Sequence, residues 1–131
     1  MILSLILFAL AAVCNAVMDV CAHHYYASVF NTDKLKDEWW NADISWKNKY
    51  VDNDPAKGRT HVPVFLTDAW HFFKSLMIVL ICAAMVVLAI GVYITHKQLS
   101  KLDFFYMFLI YGGVWCVVFG IFYNHVFIKK L

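Results

Sequence analysis

Three runs of apolar residues dominate the chain, each close to the roughly 20 residues that an α-helix needs to cross a bilayer. The first covers residues 1 to about 18, and its helical character is expected to run on to residue 30. The second holds the uncharged core "LMIVLICAAMVVLAIGVYI" within residues 68–96, and the third, "FFYMFLIYGGVWCVVFGIFYNHVFI", covers residues 104–128. In hydrocarbon every backbone N–H and C=O must find its partner inside the segment, so each run is read as a helix. A polar segment, residues 31–67, separates the first two, and only "THKQLSKLD" separates the last two. The expected fold class is an all-α membrane protein. It has a single domain over residues 1–131, three transmembrane helices, and a long aromatic-rich interfacial loop between the first and second.

Composition supports this reading. The chain is 63% hydrophobic and 15% charged, against roughly 45–50% apolar and about 25% charged residues in soluble domains. A globule of 131 residues could not hide so much apolar surface from water. The lipid bilayer is therefore the expected partner, and a formal charge of +2 gives no footing for nucleic acid. Cys14, Cys21, Cys82 and Cys116 lie within or at the ends of the runs without CxxC spacing, so they are read as small apolar packing residues.

The first run has no Lys or Arg before it, unlike a cleaved signal peptide, so a retained helix is expected. With three crossings, Lys34, Lys36, Lys47, Lys49, Lys57, Arg59, Lys129 and Lys130 share one side, leaving Lys97 and Lys101 on the other. The positive-inside rule then puts the N-terminus outside, and the large loop and C-terminus in the cytoplasm of a bacterial inner membrane.

Within the loop, Asn31 and Thr32 are expected to cap a short helix that ends in Trp39 and Trp40. "DNDPAKGR" is read as a turn around Pro55 and Gly58, not a calcium loop, because no Glu stands at the twelfth position. "HVPVFL" is expected to be extended because of Pro63. Trp39, Trp40, Trp46 and Trp70, interleaved with lysines, suit the headgroup layer as interfacial anchors.

Helical spacing organises the polar residues. Asn15, Asp19 and His23 recur every four positions along the first run, and Asp68 and His71 share a face of the second. Gly112, Cys116, Gly120 and Asn124 recur every four along the third, the first three forming a small-residue face for helix packing or for a homo-oligomer or membrane-protein partner. In a three-pass chain the late end of the first helix, the early end of the second and the late end of the third lie together. Five of the six histidines, His23, His24, His61, His71 and His125, collect there.

Each residue has a plainer role to set against a chemical one. Asp68 follows Thr67 at a helix start, where a carboxylate serves as a cap. His24 and His61 can be solvated, and His125 beside Asn124 can simply end its helix. Asp19 is harder to dismiss, because an ionisable group inside a spanning helix is usually paired or functional. Asp19, His23, Asp68 and His71 are therefore expected to form one polar or metal-binding cluster, with His24, His125, Asn15 and Asn124 as further candidates. Mixed imidazole and carboxylate ligation would suit a divalent transition metal, and zinc, iron, copper and manganese are not distinguished by residue type. A metal-free Asp–His network or a proton relay uses the same residues.

The stretches "DVCAHHYYASVF", "WWNADISWKNKY" and "FLTDAWHFFK" resemble a pattern in short bacterial or phage integral membrane proteins to which no activity attaches. The likeness covers approximately residues 15–75 and leaves the last run aside. It implies that the loop and its two flanking helix ends form one unit around Asp19, His23, His24, Trp46, Asp68 and His71. The DxxxH pair is also similar to one in the copper-binding subunit of membrane monooxygenases, over that motif alone.

Three classes of function follow. The first is a small multi-pass membrane protein with metal-dependent chemistry on an interfacial substrate. The second is a non-catalytic scaffold or subunit. The third is a holin-like pore former, which the long Trp-rich loop fits poorly.

Overall fold

The structure is a computed structural model and describes residues 1–96 and 98–129. Lys97 and Lys130, which enter the charge count above, lie outside them. Three long helices make up most of the molecule: α1 (Ile2–His23), α4 (Ala69–Ile94) and α5 (Lys101–Ile121). Each is long and apolar enough to cross a membrane. Two short helices, α2 (Asp37–Trp40) and α3 (Ala42–Ser45), lie in the connection between α1 and α4.

Local chemistry sets the boundaries. Asp68 caps α4 by accepting the His71 N–H at 2.9 Å, and at the other end the Thr95 hydroxyl donates to the Gly91 carbonyl at 2.8 Å. α5 begins three residues earlier than the apolar pattern suggested. Ser100 and Asp103 form a reciprocal capping box there, which satisfies backbone N–H groups at the helix start. After Ile121 the helix widens into a π turn over Phe122–Phe127. α1 stops at His23 and does not run on to residue 30; the backbone tightens into a 3-10 turn at Tyr25–Ala27.

α1 is the central helix. Its small residues Ala11, Ala12, Cys14 and Ala16 are buried, whereas α4 buries only Ala69 and Ala84, and α5 buries none. α4 and α5 pack on α1 and barely touch each other. Along the bundle this is a wedge with two flanking helices.

The apolar core lies at one end, where α1 finishes. Val17, Val20, Cys21, Tyr25, Phe30 and Ala69 are buried there, and Trp39, Trp40, Phe73, Tyr123 and Phe127 pack around them. Phe30 stacks on Trp40 with ring centroids 4.6 Å apart, a geometry worth about 0.5–1.5 kcal/mol beyond simple burial. Trp39 and Trp40 thus turn inward against Phe72 and Phe73, while Trp46 is exposed beside Lys47.

The segment after the π turn closes this cap. Val29 N–H donates to the Phe127 carbonyl and Lys129 N–H to the Ala27 carbonyl, each at 2.8 Å, and Lys129 Nζ reaches the Asn31 carbonyl. Within the loop, Asn48 Nδ2 donates to the carbonyls of Glu38 and Thr67, which fastens the loop to the start of α4.

Three expectations for the loop need correction or refinement. Asn31 and Thr32 do not cap the short helix; it starts at Asp37, and the Asn31 amide donates instead to the Tyr26 carbonyl. Residues 64–66 form a 3-10 turn in place of an extended strand, since Pro63 fixes the residue before the turn without extending those after it. The "DNDPAKGR" turn is present. Asp54 caps Pro55–Lys57, Gly58 takes a positive φ of 80°, and Val51 N–H closes onto the Gly58 carbonyl.

Candidate functional site

At the cap, the chain brings together a buried carboxylate and an imidazole. Asp68 is 1% exposed. Its Oδ1 accepts the His71 N–H, and its Oδ2 lies 2.7 Å from His71 Nδ1 and 2.9 Å from the Thr67 hydroxyl. That hydroxyl also lies 2.7 Å from the Val64 carbonyl, so its single proton serves one acceptor at a time. The i, i+3 spacing of Asp68 and His71 at a helix start makes both contacts from one residue.

An ionised carboxylate can only accept, so with Asp68 in that form the bond requires the proton on Nδ1 and holds the ring in one orientation. Nε2 is then the nitrogen without a hydrogen-bond partner among the described residues. The His71 side chain is about a quarter exposed, and with Asp68 it lines a pocket of about 140 Å³ whose other walls are Ala22, Ala42, Ser45, Trp46 and Trp70. Trp70 meets the His71 ring edge-on at 5.1 Å, and Lys74 Nζ sits over the Trp70 ring at 4.6 Å. Ser45 is buried on α3 and contributes to the wall of the same pocket.

Only half of the expected cluster assembles here. α1 contributes Ala22 to the pocket wall. Asp19 is half-buried and His23 exposed, and no hydrogen bond or ion pair joins either to Asp68 or His71. Asp19 lies instead within electrostatic reach of the Tyr123 hydroxyl on the π turn, and His24 meets the Tyr123 ring edge-on at 5.7 Å. Ala22 follows Asp19 by three residues and so neighbours it on the α1 surface, yet Asp19 interacts with Tyr123 while Ala22 walls the pocket. Asn15 is half-buried. Asn124 and His125 are exposed on the π turn, where the Asn124 amide donates to the Gly120 carbonyl. Among the described residues, no three His, Cys, Asp or Glu side chains are placed to hold a metal ion together.

Gly112 and Cys116 are exposed, and nothing within the chain would meet a Cβ added at Gly112 or Gly120. The close approach within the bundle is made by the alanines of α1. Residues that the sequence did not single out matter at the cap. Asn41, 1% exposed, caps α3 and donates to the Tyr26 hydroxyl. The Tyr25 hydroxyl donates to Asp37 Oδ1 at 2.5 Å. Burial, with the Asp37 carboxylate second, pushes the Tyr25 phenol well above its usual range, so it stays a donor. An Asx cap before a short helix is a readable signal for Asn41; Ser45 and Asn48 carry none.

The fold defines a class: an all-helical chain with three helices able to span a bilayer and a folded cap at one end. No family model matches the chain, and neither the curated proteins nor the solved structures contain a match to it.

Proposed function

We propose that the protein is an integral membrane protein whose cap carries an acid–base site, the Asp68–His71 dyad, acting on a polar group presented at the membrane face. The observation that carries this reading is the 2.7 Å bond from His71 Nδ1 to a buried Asp68, beside a pocket that both residues line. A carboxylate in that position holds the imidazole in the tautomer whose Nε2 accepts a proton, and stabilises the imidazolium that results. The Ser45 hydroxyl, a bound water or a substrate hydroxyl can supply that proton. At about 140 Å³ the pocket is smaller than the roughly 300–1,000 Å³ of sites that enclose a whole ligand. It therefore admits a small moiety such as an ester or phosphate, the rest of the substrate staying outside. The excess of basic residues on the cap side favours a cytoplasmic placement.

A transition metal held by this pair alone would have two protein ligands where zinc takes three or four. The acid–base reading needs only the pair. The test is to reconstitute the protein in vesicles of phosphatidylethanolamine and phosphatidylglycerol and to search for new lipid products by mass spectrometry. General acid–base groups contribute about 10²–10⁴ in rate, so His71→Gln should lower product formation by about 100-fold or more, with the helical content unchanged. No product from the native protein, or equal product from His71→Gln, overturns the reading. Stoichiometric zinc, iron, copper or manganese lost in His71→Gln would replace it with the metal reading.

A further inference from the structure

At the end of the bundle remote from the cap, α4 and α5 stand apart and leave a cleft between them. Its outer part, about 380 Å³, is lined by Leu88, Val92, Thr95, Asp103, Tyr106 and Ile110, with Met1, Gly91, Leu99 and Met107 completing the wall. A second cavity, about 230 Å³, adjoins it on the inner side, sharing Leu88 and Met107 and lined further by Phe8, Ala84 and Tyr111. There Tyr111 meets Phe8 edge-on at 5.2 Å, and its hydroxyl is 2.6 Å from the Ser4 hydroxyl. α1 meets α5 at that point, and the cleft stops.

We propose that this cleft holds one acyl chain of a membrane phospholipid. Its depth fits. From Thr95 to Ala84 a helix rises about 16 Å at roughly 1.5 Å per residue, close to the ~15 Å that half of a ~30 Å hydrocarbon core measures. The polarity gradient fits as well. Thr95 and Asp103 stand at the mouth, near the link between α4 and α5, while the inner wall is apolar apart from a Tyr111 hydroxyl already engaged by Ser4. Water gains no partners along such a wall, so an apolar occupant is favoured. A helix would need a lane about 10 Å wide, whereas the walls project Leu88, Val92, Tyr106, Met107 and Ile110. The small residues that let helices approach, Gly112, Cys116 and Gly120, do not line the cleft. The proposal is independent of the Asp68–His71 reading, since the two sites lie at opposite ends of α4.

The test uses the full chain in vesicles of phosphatidylethanolamine and phosphatidylglycerol, with a trace of phosphatidylcholine carrying a diazirine at the end of one acyl chain. Photolysis should label peptides covering residues 84–92 and 107–111 at least ~tenfold more than residues 112–121, a preference of about 1.4 kcal/mol. Native mass spectrometry should find one phospholipid retained per chain. Gly91→Trp directs bulk into space where an added Cβ meets nothing, and it should abolish both signals while circular dichroism is unchanged. Even labelling along α5, or labelling untouched by Gly91→Trp, overturns the proposal. High-yield disulfide formation between chains carrying Met107→Cys also overturns it, in favour of a second copy.

Discussion

Asp68 performs two tasks that substitutions can separate. As a cap it needs an acceptor oxygen at a helix start, which Asn also supplies; as the partner of His71 it needs a negative charge. Asp68→Asn should therefore fold with a thermal midpoint close to native, while nitrogen-15 NMR of labelled histidine reports a changed Nδ1/Nε2 proton distribution at His71. Asp68→Ala removes both tasks and should cost about 1–3 kcal/mol, since it deletes a cap and strips a buried network of its acceptor. Equal stability of the two variants in detergent unfolding would contradict this division. Tyr25 gives a pH-dependent counterpart. Its phenol is raised in the folded state by burial and by Asp37. The native state then holds a proton that the unfolded chain releases above about pH 10. The stability this contributes is fully present below that pH and is lost as pH rises beyond it. Tyr25→Phe should remove this part of the alkaline destabilisation, as read by unfolding midpoints from pH 9 upward.

Among the elements, α1 is unlike its neighbours because it has a long buried face, in which Ala11, Ala12 and Ala16 sit with Ser4, Cys14 and larger apolar residues. Ala12→Leu adds bulk where residue 12 is 0% exposed. Overpacking of that kind costs about 1–3 kcal/mol. Gly112→Leu on α5 meets open space and should leave the unfolding midpoint in detergent unchanged or higher. The contrast inverts what spacing alone suggests, and the inversion is instructive. The three helices were legible because hydrophobicity sustained over some twenty residues has one outcome in water or lipid. The Asp68–His71 bond was legible because a cap is local. The extension of α5 to Lys101 was written in Ser100 and Asp103, a signal that the apolar pattern overshadowed. Periodicity could not say toward which neighbour a stripe turns. Asp19 and His23 share a face of α1, yet Asp19 lies toward Tyr123 while Ala22 meets Asp68 and His71. Asn48 was illegible for a different reason: it reaches Glu38 and Thr67 through an irregular loop, where no repeat relates sequence distance to space.

At the scale of the whole molecule, the cap and the link between α4 and α5 lie at opposite ends of the bundle. Lys57→Cys and Ser100→Cys should therefore react with a membrane-impermeant maleimide from opposite sides, Ser100→Cys from outside the cell. Labelling of both from one side would refute the three-pass arrangement. The cap also draws on chain segments far apart in sequence. Its strand-like tie joins residues 27–31 to residues 127–129. During synthesis, Phe30 and Trp40 emerge while α5 is still untranslated, so for most of the chain's time on the ribosome the cap lacks its last wall. Closure of non-local contacts of this kind is slow compared with helix formation. Until Phe127 arrives, the Phe30 ring lacks its contact with that side chain and Val29 N–H lacks its acceptor, so the core of the cap is completed only after the third helix. The tie thus makes completion of the cap depend on the segment that follows the third helix.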